Sequence, residues 1–401
     1  MAATAEILAV TGNEALAEAM RQVDPDVVAA YPITPQTEVV MIFAQYVADG
    51  KVDTEFVTVE SEHSAMSAAI GASAGGARTM TATSSQGLAL MWELLHIAAG
   101  YRLPIVMANV NRALSGPINI HCDHSDSMGA RDTGWIQLYG EAHQEAYDNH
   151  LMAVRIAEHP EIRTPVMTMM DGFIVSGAIG PLQELTTEQV QEFIGPFQAI
   201  NPLLDSRHPV TVGPFDGLHG WFFEHKARQQ QAMDRALKVI DDVAKEYARV
   251  SGRRYGLLDA YRMDDAEIAI VVVGSTAGAT RMVVDKLRAK GVKAGMVRVR
   301  VFRPFPVAEY IRTLGDCKVV GVLDRADSFG AEGGPVFLEV RSALYDRDPR
   351  PKVLPFIYGL GGRDIFPDDI EEAFDVLRKT AASARRPAVK RRYLNLRKDE
   401  V

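Results

Sequence analysis

Three polar clusters follow short apolar runs of the sequence, and their residue types are those that bind small ligands and exchange protons. The clusters are 31–37 (Tyr-Pro-Ile-Thr-Pro-Gln-Thr), 60–63 (Glu-Ser-Glu-His) and 109–112 (Asn-Val-Asn-Arg). Each one comes directly after a predicted strand, and open parallel sheets bind ligands beyond the carboxyl ends of their strands. Helix capping or turn formation would explain each cluster taken singly. Together the three clusters predict one ligand site at one edge of a sheet.

Two residues of these clusters have surroundings that restrict what they can do. Pro32 and Pro35 restrict the backbone dihedral φ on both sides of Thr34, which holds the Thr34 hydroxyl and N–H rigidly. Glu62 is followed by small apolar residues, where a carboxylate is costly unless it is protonated or hydrogen-bonded. A buried acid that shares a proton with a ring nitrogen suits such a place. A helix-start carboxylate stabilised by the helix dipole is the alternative.

Other motifs favour structural interpretations. Gly-Ala-Ser-Ala-Gly at 71–75 matches the G-x-S-x-G nucleophile pattern, but it lies in a run that looks continuously helical, so we interpret it as a close-packing helix face. The run 121–126 (His-Cys-Asp-His-Ser-Asp) has metal-ligand residue types without the usual ligand spacing, which favours a polar loop near a site over a metal centre or plain surface. Gly-Leu-Gly-Gly at 359–362 lacks the third spaced glycine of the dinucleotide fingerprint, and the sequence has no P-loop motif.

Composition and charge exclude several classes of protein. The 401 residues, 47% apolar and 24% charged, are typical of a globular chain with two or three domains. The formal net charge of −9 argues against a protein that follows a nucleic-acid backbone. Two cysteines, Cys122 and Cys317, cannot form a four-cysteine iron–sulfur or zinc site or a disulfide scaffold, which favours a cytoplasmic location. We expect no signal peptide and no membrane span, since the longest apolar stretch is far below about 20 residues.

The positive charge is concentrated in a tail that begins at Ser383. The tail contains two acidic residues, Asp399 and Glu400, and seven basic ones: Arg385, Arg386, Lys390, Arg391, Arg392, Arg397 and Lys398. We interpret it as a solvated end, and docking on an acidic partner subunit is the alternative.

The apolar periodicity predicts two α/β units and the tail. Short apolar strands alternate with helical stretches in both units, which is typical of mainly parallel sheets covered by helices on both faces. The first unit, 1–250, includes a Pro- and Gly-rich segment at 195–225 and a long amphipathic helix at 226–250. The second unit is 260–382 and the tail is 383–401. The predicted strands are 27–31, 56–59, 79–82, 105–110, 166–170, 268–274, 294–299 and 319–323, and the other predicted helices are 61–77, 280–290 and 367–380.

The order of several motifs resembles the α subunit of 2-oxoacid:ferredoxin oxidoreductases, in particular the multi-subunit pyruvate:ferredoxin type. The motifs extend over nearly the whole chain: Tyr-Pro-Ile-Thr-Pro at 31–35, Glu-Ser-Glu at 60–62, Thr-Ala-Thr-Ser-Ser-Gln-Gly at 81–87, Asn-Arg-Ala at 111–113, Asp-His-Ser-Asp at 123–126, Arg-Asp-Thr-Gly-Trp at 131–135, Gln-Glu-Ala at 144–146, Asp-Gly-Phe at 171–173, Arg-Pro-Phe-Pro at 303–306, Asp-Arg at 324–325 with Ser-Phe-Gly at 328–330, and Gly-Leu-Gly-Gly-Arg-Asp at 359–364.

The resemblance implies a fold and a set of roles. It implies a thiamine diphosphate-binding domain of the pyrimidine type, followed by a domain like the C-terminal domain of transketolases. Glu62 would hydrogen-bond the aminopyrimidine N1′ and favour the tautomer that accepts the thiazolium C2 proton. Thr34 and Arg112 would bind the 2-oxoacid carboxylate and carbonyl, with Asn111 also at the substrate. The residues that the resemblance places against the cofactor, besides Glu62, are Pro32, Ile33, Ser85 and Gln86.

The resemblance also implies partner subunits, because the chain has no Gly-Asp-Gly motif for Mg²⁺ and diphosphate. A β subunit would supply that site and an iron–sulfur cluster, and γ/δ-type subunits would supply the rest of the path to ferredoxin. The products would be acyl-coenzyme A and CO₂, with no metal bound by this chain. A self-contained transketolase-like homodimer and a non-catalytic scaffold are the rival hypotheses.

The implied substrate is a 2-oxoacid, with pyruvate favoured. Relatives that use oxalate have an arginine at the position of Thr34, so a second carboxylate lacks that counter-ion here. Gln36, where many relatives have serine, and the loop 114–116 leave branched-chain, aryl and 2-oxoglutarate substrates open.

Overall fold

The strands of the first unit are short runs of mostly buried apolar residues, as the sequence pattern predicts. The computed structural model describes residues 7–213, 215–384 and 389–397. Up to the long helix, the elements in chain order are β1 (Leu8–Thr11), α1 (Gly12–Val23), β2 (Val27–Ala30), α2 (Thr37–Ala48), β3 (Glu55–Thr58), α3 (Glu62–Gly75), β4 (Thr79–Thr83), α4 (Ser85–Leu90), α5 (Trp92–Gly100), β5 (Val106–Asn111), α6 (Ser125–Gly129), β6 (Ile136–Tyr139), α7 (His143–Glu158), β7 (Val166–Asp171), β8 (Ile179–Leu182), α8 (Thr187–Ile194) and α9 (Phe222–Ser251).

The second unit repeats the alternation of buried strand and amphipathic helix. Its elements are β9 (Leu258–Tyr261), β10 (Ile268–Val273), α10 (Thr276–Ala289), β11 (Ala294–Val299), β12 (Val301–Arg303), α11 (Val307–Leu314), β13 (Val319–Asp324), α12 (Pro335–Ala343), β14 (Lys352–Ile357), a 3₁₀ turn (Leu360–Gly362), α13 (Pro367–Ala381) and β15 (Arg392–Tyr393).

The first sheet has the strand order β12-β6-β7-β5-β4-β2-β3. All neighbours from β6 to β3 are parallel, and β12 pairs antiparallel with β6. A parallel sheet places the carboxyl ends of its strands at one edge, so the residues after β2, β3, β4, β5 and β7 all emerge there. The predicted convergence of the three polar clusters is therefore confirmed. β12 lies in the range that the sequence analysis assigns to the second unit, but it pairs with a strand of the first sheet. No local sequence pattern indicates this pairing.

The second sheet, of order β15-β14-β13-β10-β11-β9, is parallel except for the edge strand β9. Both sheets confirm the predicted α/β class. The interpretation of the tail as a solvated end is wrong for its described part, because β15 pairs with β14 and Tyr393 donates to Asp327 at 2.7 Å. Arg391 also contacts Asp327, so the Asp327 carboxylate holds both Tyr393 and Arg391. Arg385, Arg386 and Lys398 lie outside the described residues.

The long helix α9 begins four residues before its predicted start and packs against α7, α5 and α8. Its last turns are fixed by Asp148 of α7, a fully buried carboxylate. Asp148 accepts hydrogen bonds from Tyr247 and Tyr255 (both 2.5 Å) and from Arg253 (2.6 Å). A buried carboxylate with this many donors anchors the connection between the two units.

Two further expectations concern helices. The segment 71–75 lies inside α3 with Ser73 buried, which confirms that it is a helix face and not a nucleophile turn. Within the described part of the chain, no helix combines the length and apolar character needed to cross a bilayer.

His150 of α7 gives the fold a pH-dependent stability. Its ring is fully buried, and Nδ1 lies 3.0 Å from Thr168 Oγ1. Burial lowers the pKa of His150 to about 3, whereas an unfolded chain has a histidine pKa of about 6.5. Below about pH 6.5 the unfolded chain binds a proton that the folded chain does not bind until near pH 3, so the free energy of unfolding falls as the pH falls through this window.

The variant His150→Asn keeps a polar group beside Thr168 and removes the titration. Between about pH 6 and about pH 4.5, we expect the free energy of unfolding of the wild type to fall by on the order of 1–2 kcal/mol more than that of the variant. Urea denaturation at each pH measures this difference. His219→Asn, which changes an exposed histidine, should follow the wild-type pH dependence. Parallel pH curves for wild type and His150→Asn would contradict the assignment.

Candidate active site

The buried carboxylate of Asp126, at the start of α6, organises the carboxyl edge of the first sheet. It accepts from the side-chain amides of Asn111 (2.8 Å) and Asn109 (3.2 Å) and from the backbone N–H groups of Arg112 (3.1 Å) and Ser85 (3.1 Å). The Ser127 N–H donates a fifth bond, at 2.7 Å. Burial raises the pKa of Asp126, and the donors oppose that shift. These five bonds join the end of β5, the start of α4 and α6 into one rigid group.

Arg112 follows β5, and two backbone carbonyls hold its guanidinium. Nη1 donates to the Thr34 carbonyl at 2.9 Å, and Nε donates to the Asn119 carbonyl at 3.2 Å. Among the described residues, no hydrogen bond or ion pair uses Nη2. Burial lowers the pKa of Arg112, and Asp126 raises it. A guanidinium held by neutral acceptors has no counter-ion on those two bonds, and its Nη2 stays available as a donor for an anionic ligand.

Thr34 lies in the turn after β2, with an exposed side chain. Buried Gln36 closes the turn: its N–H donates to the Ile33 carbonyl at 2.8 Å, and its Oε1 accepts from the Ile33 N–H at 3.2 Å. The turn also packs closely on the end of β7, since a Cβ on Gly172 would lie 2.8 Å from Pro35 Cγ. Gln36 and the end of β7 therefore hold the backbone of this turn in place, and Thr34 lies at the rim of the site.

Glu62 is the first residue of α3, and Ser61 caps that helix through a bond from the Ser64 N–H to Ser61 Oγ at 3.2 Å. The Glu62 side chain is buried against Gly87, where a Cβ would lie 2.8 Å from Glu62 Oε1. No hydrogen bond or ion pair joins the Glu62 carboxylate to another residue in the described part of the chain. Glu62 thus starts a helix, as the alternative interpretation expects. Its side chain is also buried, which is the premise of the other interpretation.

Ser85 and Gln86 are the first two residues of α4, which begins two residues after the end of β4. Ser85 has φ +47°, and its hydroxyl lies 2.5 Å from the Ala113 carbonyl and 2.6 Å from Gln86 Oε1. The left-handed backbone of a non-glycine residue costs free energy, which the bond from the Ser85 N–H to Asp126 helps to offset. The strained turn brings Gly87, and with it Glu62, toward the residues after β5.

The structure thus brings most of the predicted site residues together. Thr34 and Arg112 are in direct contact, Asn111, Arg112 and Ser85 share Asp126, and Gln86 bonds Ser85. Pro32 and Ile33 lie in the Thr34 turn at the same sheet edge, and among the described residues no hydrogen bond joins them to Glu62.

Sequence reasoning missed Asp126 as the centre of this group, and it missed a second carboxylate, Asp171. Asp171, at the end of β7, contacts His124 Nε2 (2.8 Å), Ser275 Oγ (2.6 Å) and Arg325 Nη1 (3.2 Å). Burial alone would raise the pKa of Asp171, but His124 and Arg325 hold it well below its usual range. The polar run 121–126 was the signal for these contacts, and its interpretation as a polar loop near a site fits this geometry.

One group of possible metal ligands lies in this loop. Ligand atoms of Cys122, His124 and Asp171 come within 4.8 Å of one another. The Arg325 guanidinium is already bonded to the same Asp171 carboxylate, so a bound cation would face a fixed positive charge. Burial also raises the pKa of Cys122 well above its usual range, which keeps the thiol protonated. We therefore interpret the group as an ion-pair network between the two units.

Two family models match the chain. Residues 18–245 match the family described as pyruvate flavodoxin/ferredoxin oxidoreductase, thiamine diphosphate-binding, and residues 266–370 match pyruvate:ferredoxin oxidoreductase core domain II. The site residues predicted from the sequence lie in the first match, and Ser275 and Arg325 lie in the second.

Curated relatives match over nearly their whole length. The chain is 54% identical to pyruvate synthase subunit PorA of Thermotoga maritima, over 98% of each chain. It is 46% identical to the subunit of that name in Methanocaldococcus jannaschii, over 93% of this chain and 95% of the relative. It is 42% identical to ketoisovalerate oxidoreductase subunit VorA of Pyrococcus abyssi, over 94% of each.

Solved structures agree with the fold. A 2-oxoglutarate:ferredoxin oxidoreductase from Magnetococcus marinus, with 2-oxoglutarate, coenzyme A and succinyl-CoA bound, superposes with a TM-score of 0.68 at 21% identity, over 92% of this chain and 65% of that chain. A split-gene transketolase, an inactive β4 tetramer, has a TM-score of 0.52 at 12% identity, over 93% of this chain and 96% of that one. With the family matches, these likenesses confirm the predicted order of a thiamine diphosphate-binding domain and a transketolase-like domain. The chain therefore belongs to the pyruvate flavodoxin/ferredoxin oxidoreductase family.

Proposed function

We propose that this chain is the substrate-side subunit of a multi-subunit 2-oxoacid:ferredoxin oxidoreductase that acts on pyruvate. The reaction converts a 2-oxoacid anion and coenzyme A to acyl-coenzyme A, CO₂, one proton and two electrons for ferredoxin. The observation that carries the proposal is that one edge of the sheet holds both the Arg112 guanidinium, whose Nη2 has no partner among the described residues, and Glu62, a buried acid that also lacks one there. The high identity to pyruvate synthase subunits supports it.

The residues around Glu62 fit the pyrimidine half of thiamine diphosphate. Buried Thr83 Oγ1 has no hydrogen-bond partner, and the absence of a side chain on Gly87 lets Thr83 Oγ1 and the Glu62 carboxylate lie against the same backbone. When bound, thiamine diphosphate supplies the electron sink that cleavage of the bond between the carboxylate and carbonyl carbons requires. Glu62 would hold a proton at a ring nitrogen, and Ser85, Gln86, Pro32 and Ile33 would line the cofactor from the two turns.

Arg112 would bind the 2-oxoacid carboxylate through Nη2. Nε and one N–H of Nη1 are occupied by the Asn119 and Thr34 carbonyls, so the orientation of the guanidinium is set before the substrate arrives. The exposed Thr34 hydroxyl would reach the substrate carbonyl or carboxylate from the opposite side. The amide of Asn111 is bonded to Asp126 and Ser127, so Asn111 would contribute through the unpartnered Oδ1 at the substrate end of β5.

Partner subunits would complete this half-site. Asp126 and Asp171 both accept hydrogen bonds from the protein, which leaves neither buried carboxylate available for Mg²⁺. A β subunit would therefore hold Mg²⁺, the diphosphate and an iron–sulfur cluster, and γ/δ-type subunits would lead electrons to ferredoxin in the cytoplasm. Coenzyme A is bound in the related 2-oxoglutarate enzyme, which supports it as the co-substrate. Binding of thiamine diphosphate by the purified single chain would favour the self-contained homodimer instead.

The variant Glu62→Gln, in the complex with its partner subunits, removes the acid and keeps the shape. Because general acid–base groups contribute about 10²–10⁴-fold, we expect turnover of pyruvate with an artificial electron acceptor to fall by at least about 100-fold. Glu60→Gln is the matched control, since Glu60 is exposed two residues earlier and bonds only Ser64. Turnover of Glu62→Gln within a few-fold of that control would contradict the role of Glu62.

The variant Arg112→Lys keeps the positive charge and removes the planar fork. We expect the KM for pyruvate to rise by about tenfold or more, because charge-assisted bonds are worth about 1.5–3 kcal/mol each. Steady-state kinetics at varied pyruvate measure this effect. The control Arg207→Lys changes an exposed arginine that pairs with Asp205, and it should leave KM unchanged. A KM for Arg112→Lys equal to that of the control would reject the proposed substrate contact.

A panel of 2-oxoacids tests the substrate. We expect kcat/KM to be highest for pyruvate and lower for 2-oxoisovalerate, phenylglyoxylate and 2-oxoglutarate, since the described rim offers Thr34, not a second cation, opposite Arg112. A higher kcat/KM for 2-oxoisovalerate than for pyruvate would instead indicate a branched-chain substrate, as the name of the ketoisovalerate relative does for that protein. A complete complex that turns over none of the four acids would instead indicate a scaffold subunit.

A further inference from the structure

The segment that follows Arg112 and contains Asn119 forms a loop whose two ends are hydrogen-bonded to each other. The Ala113 N–H donates to the His121 carbonyl at 3.0 Å, and residues 114–118 between them are exposed. Asn119 lies next to that closing bond, and its carbonyl holds Arg112 Nε. The position of the guanidinium therefore depends on where the backbone of Asn119 lies.

A glycine-rich turn of the second unit fixes Asn119. The Asn119 side-chain amide donates to the Gly361 carbonyl at 2.9 Å, and the Gly361 N–H donates to Asp123 Oδ2 at 3.0 Å. These two bonds attach both ends of the 119–123 segment to one residue. Arg325 also holds the turn, because its Nε donates to the Gly359 carbonyl at 3.4 Å. The Arg325 carbonyl in turn accepts a hydrogen bond from the His124 N–H at 2.8 Å.

The contact leaves no room for side chains on the turn. Gly361 and Gly362 have φ of +61° and +78°. A Cβ on Gly361 would lie 2.5 Å from Asn119 Nδ2, and one on Gly362 would lie 2.3 Å from His121 Cβ. Real Cβ atoms do not approach this closely, so these glycines serve the contact between the units as well as the turn.

We propose that the Gly359–Arg363 turn is a positioning element for substrate binding, which acts from Gly361 through Asn119 on the guanidinium of Arg112. Gly361 and Asn119 are thus positioning residues that set the affinity for the 2-oxoacid carboxylate, although Gly361 lies in the second unit. This inference rests on the proposed function, in which Arg112 binds that carboxylate. Misplacing a bidentate donor by a fraction of an ångström weakens ground-state and transition-state binding together, so KM should change more than kcat.

Four variants of the complete complex test the proposal: Gly361→Ala, Asn119→Ala, the double variant, and Gly330→Ala as the matched control. Gly330 is in the same unit with φ +84°, and a Cβ there meets nothing within 4 Å, so it reproduces the backbone strain without the clash. We expect Gly361→Ala and Asn119→Ala each to raise the KM for pyruvate by about tenfold with kcat within about threefold of wild type, and Gly330→Ala to change KM by less than about twofold. The double variant should match Asn119→Ala, because the clash needs both side chains.

A second measurement does not depend on turnover. Amide hydrogen exchange of the peptide covering 113–123 should be faster in Gly361→Ala and Asn119→Ala than in wild type and Gly330→Ala. Asn119→Asp, a surface change that keeps the size and removes the donor to Gly361, should reproduce both effects if Gly361→Ala fails to assemble.

The outcomes separate this proposal from the function on which it rests. If Arg112→Lys raises KM but Gly361→Ala and Asn119→Asp do not, the substrate contact holds and the positioning role of the turn is wrong. If the two single effects add in the double variant, the residues do not act through one contact, and the proposal is also wrong. If Arg112→Lys leaves KM unchanged, the proposed function fails, and faster exchange of 113–123 alone would then show only a structural contact.

Discussion

The site depends on one buried carboxylate, Asp126, and on the five N–H groups that donate hydrogen bonds to it. Removing an ionised carboxylate from water costs several kcal/mol, and only a complete set of donors offsets that cost. The donors come from β5, the turn before α4 and α6, so none of these segments can move without leaving a charge unpaired. The rigidity of Arg112 and Ser85 follows from this electrostatic constraint and not from apolar packing.

The buried carboxylates at this sheet edge divide into two kinds. Asp126 and Asp171 accept hydrogen bonds from the protein: one fixes the first unit internally, and the other joins it to Arg325 and Ser275 of the second. Glu62 differs, because within the described residues it has no such donor. Asp126 and Asp171 thus stabilise the structure, whereas Glu62 has the ligand role that we propose for it above. Identical functional groups take different roles because the surrounding protein supplies hydrogen-bond donors to some of them and not to others.

The sequence predicted the parallel sheets because buried strands appear as apolar runs, such as the uninterrupted run 268–273. It predicted the convergence of Thr34, Glu62 and Arg112 because parallel strands end at a common edge. It could not predict the role of Asp126, whose donors are spread over residues 85–127 and are brought together only by the fold. The pairing of β12 with β6 and of β15 with β14 likewise depends on contacts distant in sequence, and these edge strands of two or three residues carry no periodic pattern.

The two units form one functional surface, although their sheets are separate. Asp171 accepts hydrogen bonds from Arg325 and Ser275 across the boundary, Asp148 anchors the connecting segment, and Gly361 contacts the loop that follows Arg112. Each contact is polar and short in range, so a small rotation between the units would break several at once. A weakly coupled second unit would leave the Arg112 guanidinium free to rotate, and a mobile cation loses binding free energy to conformational entropy. Under the proposed positioning of Arg112, this coupling would give the second unit an indirect part in substrate binding, even though all of the predicted site residues lie in the first unit.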